Sequence, residues 1–136
     1  MIDCEELVKM AINVKEQAYA PYSKFKVGAV LVTQNNKIYT GVNIENATYG
    51  ATVCAERTAI LKAVSEGERK IIKIIIASDS IDYIYPCGIC RQMLAEFGND
   101  DMEIICTKNT GEYIIKKLGE LLPNAFRLLE EIENEI

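Results

Sequence analysis

Apolar residues recur at helical spacing over residues 3–19 (DCEELVKMAINVKEQAY), where Leu7, Met10, Ala11, Val14 and Ala18 share one face. Asp3 and, three positions on, Glu6 form a capping-box pattern at the start of this helix, and Pro21 predicts its end. The period then changes. Residues 26–33 (KVGAVLVT) run apolar with little polar alternation, which predicts a strand covered on both faces. Asn35-Asn36 is a turn signal, and 37–42 (KIYTGV) predicts the returning strand of a hairpin.

Residues 43–53 (NIENATYGATV) carry no regular period and many turn-formers, which predicts a loop suited to binding groups. Helical spacing resumes from Cys54 to about Glu66, with Ala59, Ile60, Ala63 and Val64 inward and Thr52 as a candidate cap. Residues 71–78 (IIKIIIAS) predict a central strand, 79–86 an irregular connection, and 87–97 a helix that stops at Gly98. Residues 102–107 predict a strand, Asn109-Thr110-Gly111 a turn, and 112–115 a short strand. The tail from Lys117 to Ile136 reads as mostly helical and broken by Pro123. Helices alternating with strands in this order predict a single α/β domain over residues 1–136. Its architecture is three-layer α/β/α, with helices on both faces of a mixed central sheet of about five strands.

Composition narrows the function classes. Of 136 residues, 49% are hydrophobic, enough for one core and no more. The formal net charge of −5 repels polyanions, and the lysines are scattered, so a free small molecule fits better than a nucleic-acid polymer as partner. The start, MIDCEELVKMAINV, lacks the basic opening and apolar run of a secretory signal, and the most apolar segment, IIKIIIA, is too short to span a bilayer. The expectation is a cytoplasmic chain without membrane association. In that compartment its five cysteines are better candidates for metal ligands or catalytic thiols than for disulfides.

Three of the five stand out. Cys87 and Cys90 form a C-x-x-C, and positions three apart on a helical turn share a face. Cys54 opens the other helix, separated from the pair by one strand. In such an arrangement both helices begin at the same edge of the sheet, so three sulfurs can meet at one point. Three thiolates suit zinc and leave a fourth position for water, as catalytic sites do. The chain has no histidine to complete a Cys3His or Cys2His2 set. Cys4, at the start of an amphipathic helix, and Cys106, in an apolar strand, read as small core residues.

Glu56 lies two positions after Cys54, off the ligand face, where a carboxylate can hold water and move protons. Such general acid–base work is worth roughly a hundred- to ten-thousand-fold in rate. Three thiolates leave excess negative charge at the ion. Two helix N-termini, Arg57 beside Glu56, and Arg91 after Cys90 are the candidates for offsetting it. A thioredoxin-like redox pair would leave Cys54 and Glu56 unused, and a purely structural zinc module would have no need of Glu56.

Cys54-Ala55-Glu56 followed by Pro86-Cys87-Gly88-Ile89-Cys90 resembles the signature of the zinc nucleoside and nucleobase deaminases. Phe25–Ala29 (FKVGA), Asn43–Ala47 (NIENA), Cys54–Ala59 (CAERTA), Pro86–Gln92 (PCGICRQ) and Leu121–Phe126 (LLPNAF) resemble the small cytidine deaminases in particular, from about residue 5 to residue 127. The resemblance implies that Cys54, Cys87 and Cys90 bind one zinc per subunit and that Glu56 shuttles protons. It implies that Asn43 and Glu45 hydrogen-bond the ribose hydroxyls and that Phe25 stacks on the pyrimidine. It also implies a homotetramer with active sites at the subunit interfaces, Phe126 reaching a neighbour's site. The implied reaction is hydrolytic deamination of cytidine and deoxycytidine in pyrimidine salvage. Another aminonucleoside, such as blasticidin S, is the alternative substrate of the same chemistry. Nothing in the sequence assigns a role to Tyr83-Ile84-Tyr85 or to residues 127–136.

Overall fold

The computed structural model describes residues 2–128. Strands β1 (Val27–Thr33), β2 (Ile38–Val42), β3 (Ile71–Ser78), β4 (Glu103–Thr107) and β5 (Tyr113–Lys117) form one mixed sheet in the order β2-β1-β3-β4-β5. All neighbours pair antiparallel except β3 and β4, which run parallel. Helices α1 (Cys4–Lys15), α2 (Ala55–Ser65), α3 (Gly88–Glu96) and the short α4 (Leu118–Leu121) complete it. No helix among the described residues is long and apolar enough to cross a membrane.

Strand alternation sorts the core into two layers. Ala29, Leu31, Ile74, Ile76, Ile104 and Cys106 point to one face, where Ala59, Ile60 and Leu94 of α2 and α3 cover them. Val30, Val32, Ile75, Ala77 and Ile105 point to the other, against Leu7, Val8 and Ala11 of α1. Covering both faces is what the uninterrupted apolar runs of β1 and β3 require. Each large aliphatic side chain so buried contributes about 1.5–3 kcal/mol.

Two glycines set how closely the helices approach. A Cβ on Gly28 would stand 2.9 Å from the Lys15 nitrogen and overlap the Ala11 carbonyl of α1. On the opposite face, a Cβ on Gly41 would stand 2.5 Å from the Ala59 nitrogen and overlap the Ala55 carbonyl of α2. Helix backbone therefore rests directly on strand backbone at both points.

The larger differences from the sequence reading have tertiary reasons. Helix α1 is capped by Asp3, whose carboxylate accepts the Glu6 N–H at 2.9 Å, but it ends at Lys15, before Pro21 has any part. Tyr19 is taken up by the 43–45 loop: its N–H donates to the Asn43 carbonyl and its carbonyl accepts the Glu45 N–H. Thr52 does not cap α2; Cys54 occupies that position, and the Thr52 hydroxyl accepts the Asn46 N–H. Strand β5 continues to Lys117, which pairs with Glu103. The helix expected beyond it is only α4: the Leu118 and Gly119 N–H groups bond the Met102 and Asp100 carbonyls, and the chain leaves helical geometry at Leu122. Residues 129–136 of that expected helix lie outside the described residues.

Candidate metal centre and active site

Helices α2 and α3 pack on the same face of the sheet. Cys54 and Cys87 are their respective N-caps, and neither side chain makes a capping hydrogen bond. Both sulfurs are left to face each other at the two positive helix ends. Cys54 Sγ lies 3.9 Å from Cys87 Sγ, Cys87 Sγ lies 3.5 Å from Cys90 Sγ, and all three sulfurs fall within 4.8 Å of one another. A tetrahedral zinc centre, with Zn–S bonds of about 2.3 Å, needs sulfurs about 3.8 Å apart. The donor set and its spacing therefore fit a three-thiolate zinc site. Cys90 is fully buried at its base, and Cys87 is exposed at its mouth.

Charge at the site is arranged accordingly. A hydrogen bond from the Cys90 thiol, helped by the Arg57 guanidinium, pulls the Cys54 thiol down to about 5. The Cys90 thiol, committed to Cys54 and buried, is pushed up. Arg57 Nη2 reaches both the Thr52 carbonyl at 3.1 Å and Cys54 Sγ at 3.8 Å. Arg91, the second candidate for offsetting thiolate charge, does not: its guanidinium bonds the Pro86 and Leu121 carbonyls, each at 2.7 Å, and ties the C-terminal segment to α3. Replacing Arg57 with Gln is expected to leave the cysteine cluster in place and lower turnover about tenfold, because a cation beside the thiolates is lost. Steady-state rates at equal zinc content check this.

Glu56, in the first turn of α2, is 5% exposed. Burial pushes its carboxyl up to about 7, with the Cys54 thiolate adding to the shift. A carboxyl poised there exchanges protons readily near neutrality. Above it opens a cleft of about 220 Å³, walled by Val27, Asn43, Thr52, Val53, Ile84 and Tyr85, with Cys54, Glu56 and Cys87 at its floor. Ile84 and Tyr85 had no assigned role in the sequence; the one signal was their position just before Pro86-Cys87.

Of the remaining candidates, Asn43 is among the walls of this cleft, and Phe25, Glu45 and Phe126 are not. Asn43 is buried, its Oδ1 accepting the Val27 N–H at 2.9 Å and its Nδ2 donating to the Phe25 carbonyl at 2.8 Å. Glu45 grips the 22–23 turn: Oε1 accepts the Tyr22 and Ser23 N–H groups, and Oε2 accepts the Ser23 hydroxyl. These bonds, the Ser23 hydroxyl first, hold its carboxyl below the usual carboxylate range. Phe25, two residues before β1, is exposed. Phe126 is 68% exposed, although Gln92 Nε2 holds its carbonyl at 2.8 Å. Cys106 is buried in the sheet core, and Cys4, the first residue of α1, packs against the core on the opposite face, so neither belongs to the cluster.

Residues 1–106 match the model of the cytidine and deoxycytidylate deaminase zinc-binding region. The chain is 45% identical to a cytidine deaminase of Sporosarcina psychrophila over 125 residues, 92% of each protein. It superposes on the crystal structure of cytidine deaminase from Burkholderia pseudomallei with a TM-score of 0.88 and 42% identity, covering 92% of this chain and all of that one. A blasticidin-S deaminase of Bacillus cereus is more distant, 32% identical over 87% of this chain and 88% of that protein. With three thiols and a buried carboxylate converging on one cleft, and a family model matched across all of them, the chain belongs to the cytidine and deoxycytidylate deaminase family.

Proposed function

We propose that this protein hydrolyses the 4-amino group of cytidine and deoxycytidine, giving uridine or deoxyuridine and ammonia, with residues 1–136 acting as one deaminase domain. The observation that carries this reading is a buried glutamate beside three convergent thiols at the floor of a small cleft. Zinc held by Cys54, Cys87 and Cys90 would supply the Lewis acidity that makes water a nucleophile near neutral pH. Glu56 takes one proton from the attacking water and delivers it to ring N3, which makes C4 electrophilic, and the water oxygen bonds to C4. Glu56 then takes the remaining proton of that hydroxyl and passes it to the amino group, so that the C4–N bond breaks, the C4 carbonyl forms and ammonia leaves. Arg57 and the two helix N-termini offset thiolate charge throughout. Phe25 stacks on the pyrimidine. Asn43 has one amide proton uncommitted to backbone, and we assign it, with Glu45, to the ribose hydroxyls.

The assembly we propose is a homotetramer working in the cytoplasm on free nucleosides in pyrimidine salvage. Support comes from apolar side chains left exposed near the cleft: Ile89 between two of the cysteines, Ile44 paired with Val53, and Phe126 on a backbone pinned by Gln92. An aromatic ring held in water on a fixed segment gains from being covered by a second copy. The test is loss of ultraviolet absorbance as cytidine becomes uridine, with light scattering on the same sample. Turnover of cytidine at four times the chain mass is expected. Turnover of blasticidin S alone would shift the assignment to the related aminonucleoside activity, and a monomeric active species would remove the assembly.

A further inference from the structure

Residues 25–27 are fixed from two sides. On the cleft side Asn43 takes the Val27 N–H and the Phe25 carbonyl. On the far side Asp79, just past β3, takes the residue between them. Its Oδ2 accepts the Lys26 N–H at 2.9 Å, and its own N–H donates to the Lys26 carbonyl at 3.2 Å. The other carboxylate oxygen, Oδ1, accepts Lys15 Nζ at 3.0 Å. Lys15 ends α1 with its side chain only 10% exposed, and α1 is seated there because Gly28 admits its backbone.

An ammonium this buried requires a counter-charge, and Asp79 is the partner at hydrogen-bond distance; Glu16 lies at 3.9 Å and is mostly exposed. The pairing uses one carboxylate oxygen and leaves the other aimed at the Lys26 N–H. The exposed Lys26–Glu16 pair contributes little by comparison. We propose that the Lys15–Asp79 pair is a positioning device for the substrate base, holding Lys26 from behind so that Val27 keeps its place in the cleft wall and Phe25 its place on the segment leading into it. Neither residue touches the nucleoside. The inference rests on the reading that Phe25 stacks on the pyrimidine.

The test compares Asp79→Ala, Asp79→Asn and Phe25→Ala in the cytidine assay, with zinc content and melting temperature measured alongside. Asp79→Ala removes both contacts and is expected to raise KM about tenfold, with kcat within about twofold of the parent and zinc unchanged. Asp79→Asn keeps an acceptor for the Lys26 N–H and is expected to raise KM only about threefold. A lowered melting temperature with unchanged KM in Asp79→Ala would overturn the proposal, since the pair would then be a structural clip alone. If Asp79→Ala does not fold, Asp79→Asn decides, and an unchanged KM there overturns it equally. Phe25→Ala separates the two readings. An unchanged KM in Phe25→Ala removes the stacking role itself, whereas a raised KM there beside an unaffected Asp79→Ala removes only the positioning role.

Discussion

Glu56→Gln is expected to retain zinc and lose about a thousandfold in kcat, in the middle of the range for removing a general acid–base group. The substitution is nearly isosteric, so the first turn of α2 and the cap position of Cys54 stay as they are. The amide still fills the buried space beside the sulfurs and still offers hydrogen bonds. It has no proton affinity near neutrality, and it therefore cannot take a proton from water and return it to the amine. Single-turnover rates at saturating cytidine, with elemental analysis of zinc, read this directly. A variant within tenfold of the parent would show that Glu56 is a buried bystander. A variant that loses zinc together with activity would show that it holds the metal site together.

What the sequence discloses about this site follows from how local each feature is. Cys87 and Cys90 share a turn, and Glu56 and Arg57 follow Cys54 directly, so their relations survive as spacing. The convergence of Cys54 with the pair is also legible, because a strand between two helices brings both N-termini to one sheet edge. Features that depend on a distant partner are not legible. Helix α1 stops at Lys15 because Tyr19 pairs with a loop more than twenty residues away. Arg91 stands one position from a ligand and still turns to the Leu121 carbonyl. Asn43 and Glu45 read as sugar-binding or turn residues, but the partners visible in the fold are backbone groups of residues 22–27 and the Ser23 hydroxyl, which no spacing reveals. The Ile84 and Tyr85 wall is invisible for the same reason: it lies in a segment without periodicity.

Gly41→Ala is expected to damage the site from the far side of α2. The added methyl would overlap the Ala55 carbonyl and stand 2.5 Å from the Ala59 nitrogen, and both are backbone atoms, so no rotamer change relieves the contact. The helix must shift outward by about 1 Å, a displacement that can cost about a hundredfold in rate when it moves catalytic groups. Overpacking of this kind also lowers stability by about 1–3 kcal/mol. Cys54 caps that helix and Glu56 sits in its first turn, so both move relative to Cys87 and Cys90 on α3. Zinc affinity and kcat should therefore fall together. Two other substitutions make the comparison decisive. Gly50→Ala adds a methyl that meets nothing within 4 Å and should be neutral. Gly28→Ala creates the matching clash with α1 on the opposite face. It should cost similar stability while leaving zinc bound, because α1 carries none of the cysteines in the cluster. Should Gly41→Ala lose stability with zinc affinity and kcat intact, α2 must tilt about its own N-terminus, and Gly41 would serve packing alone.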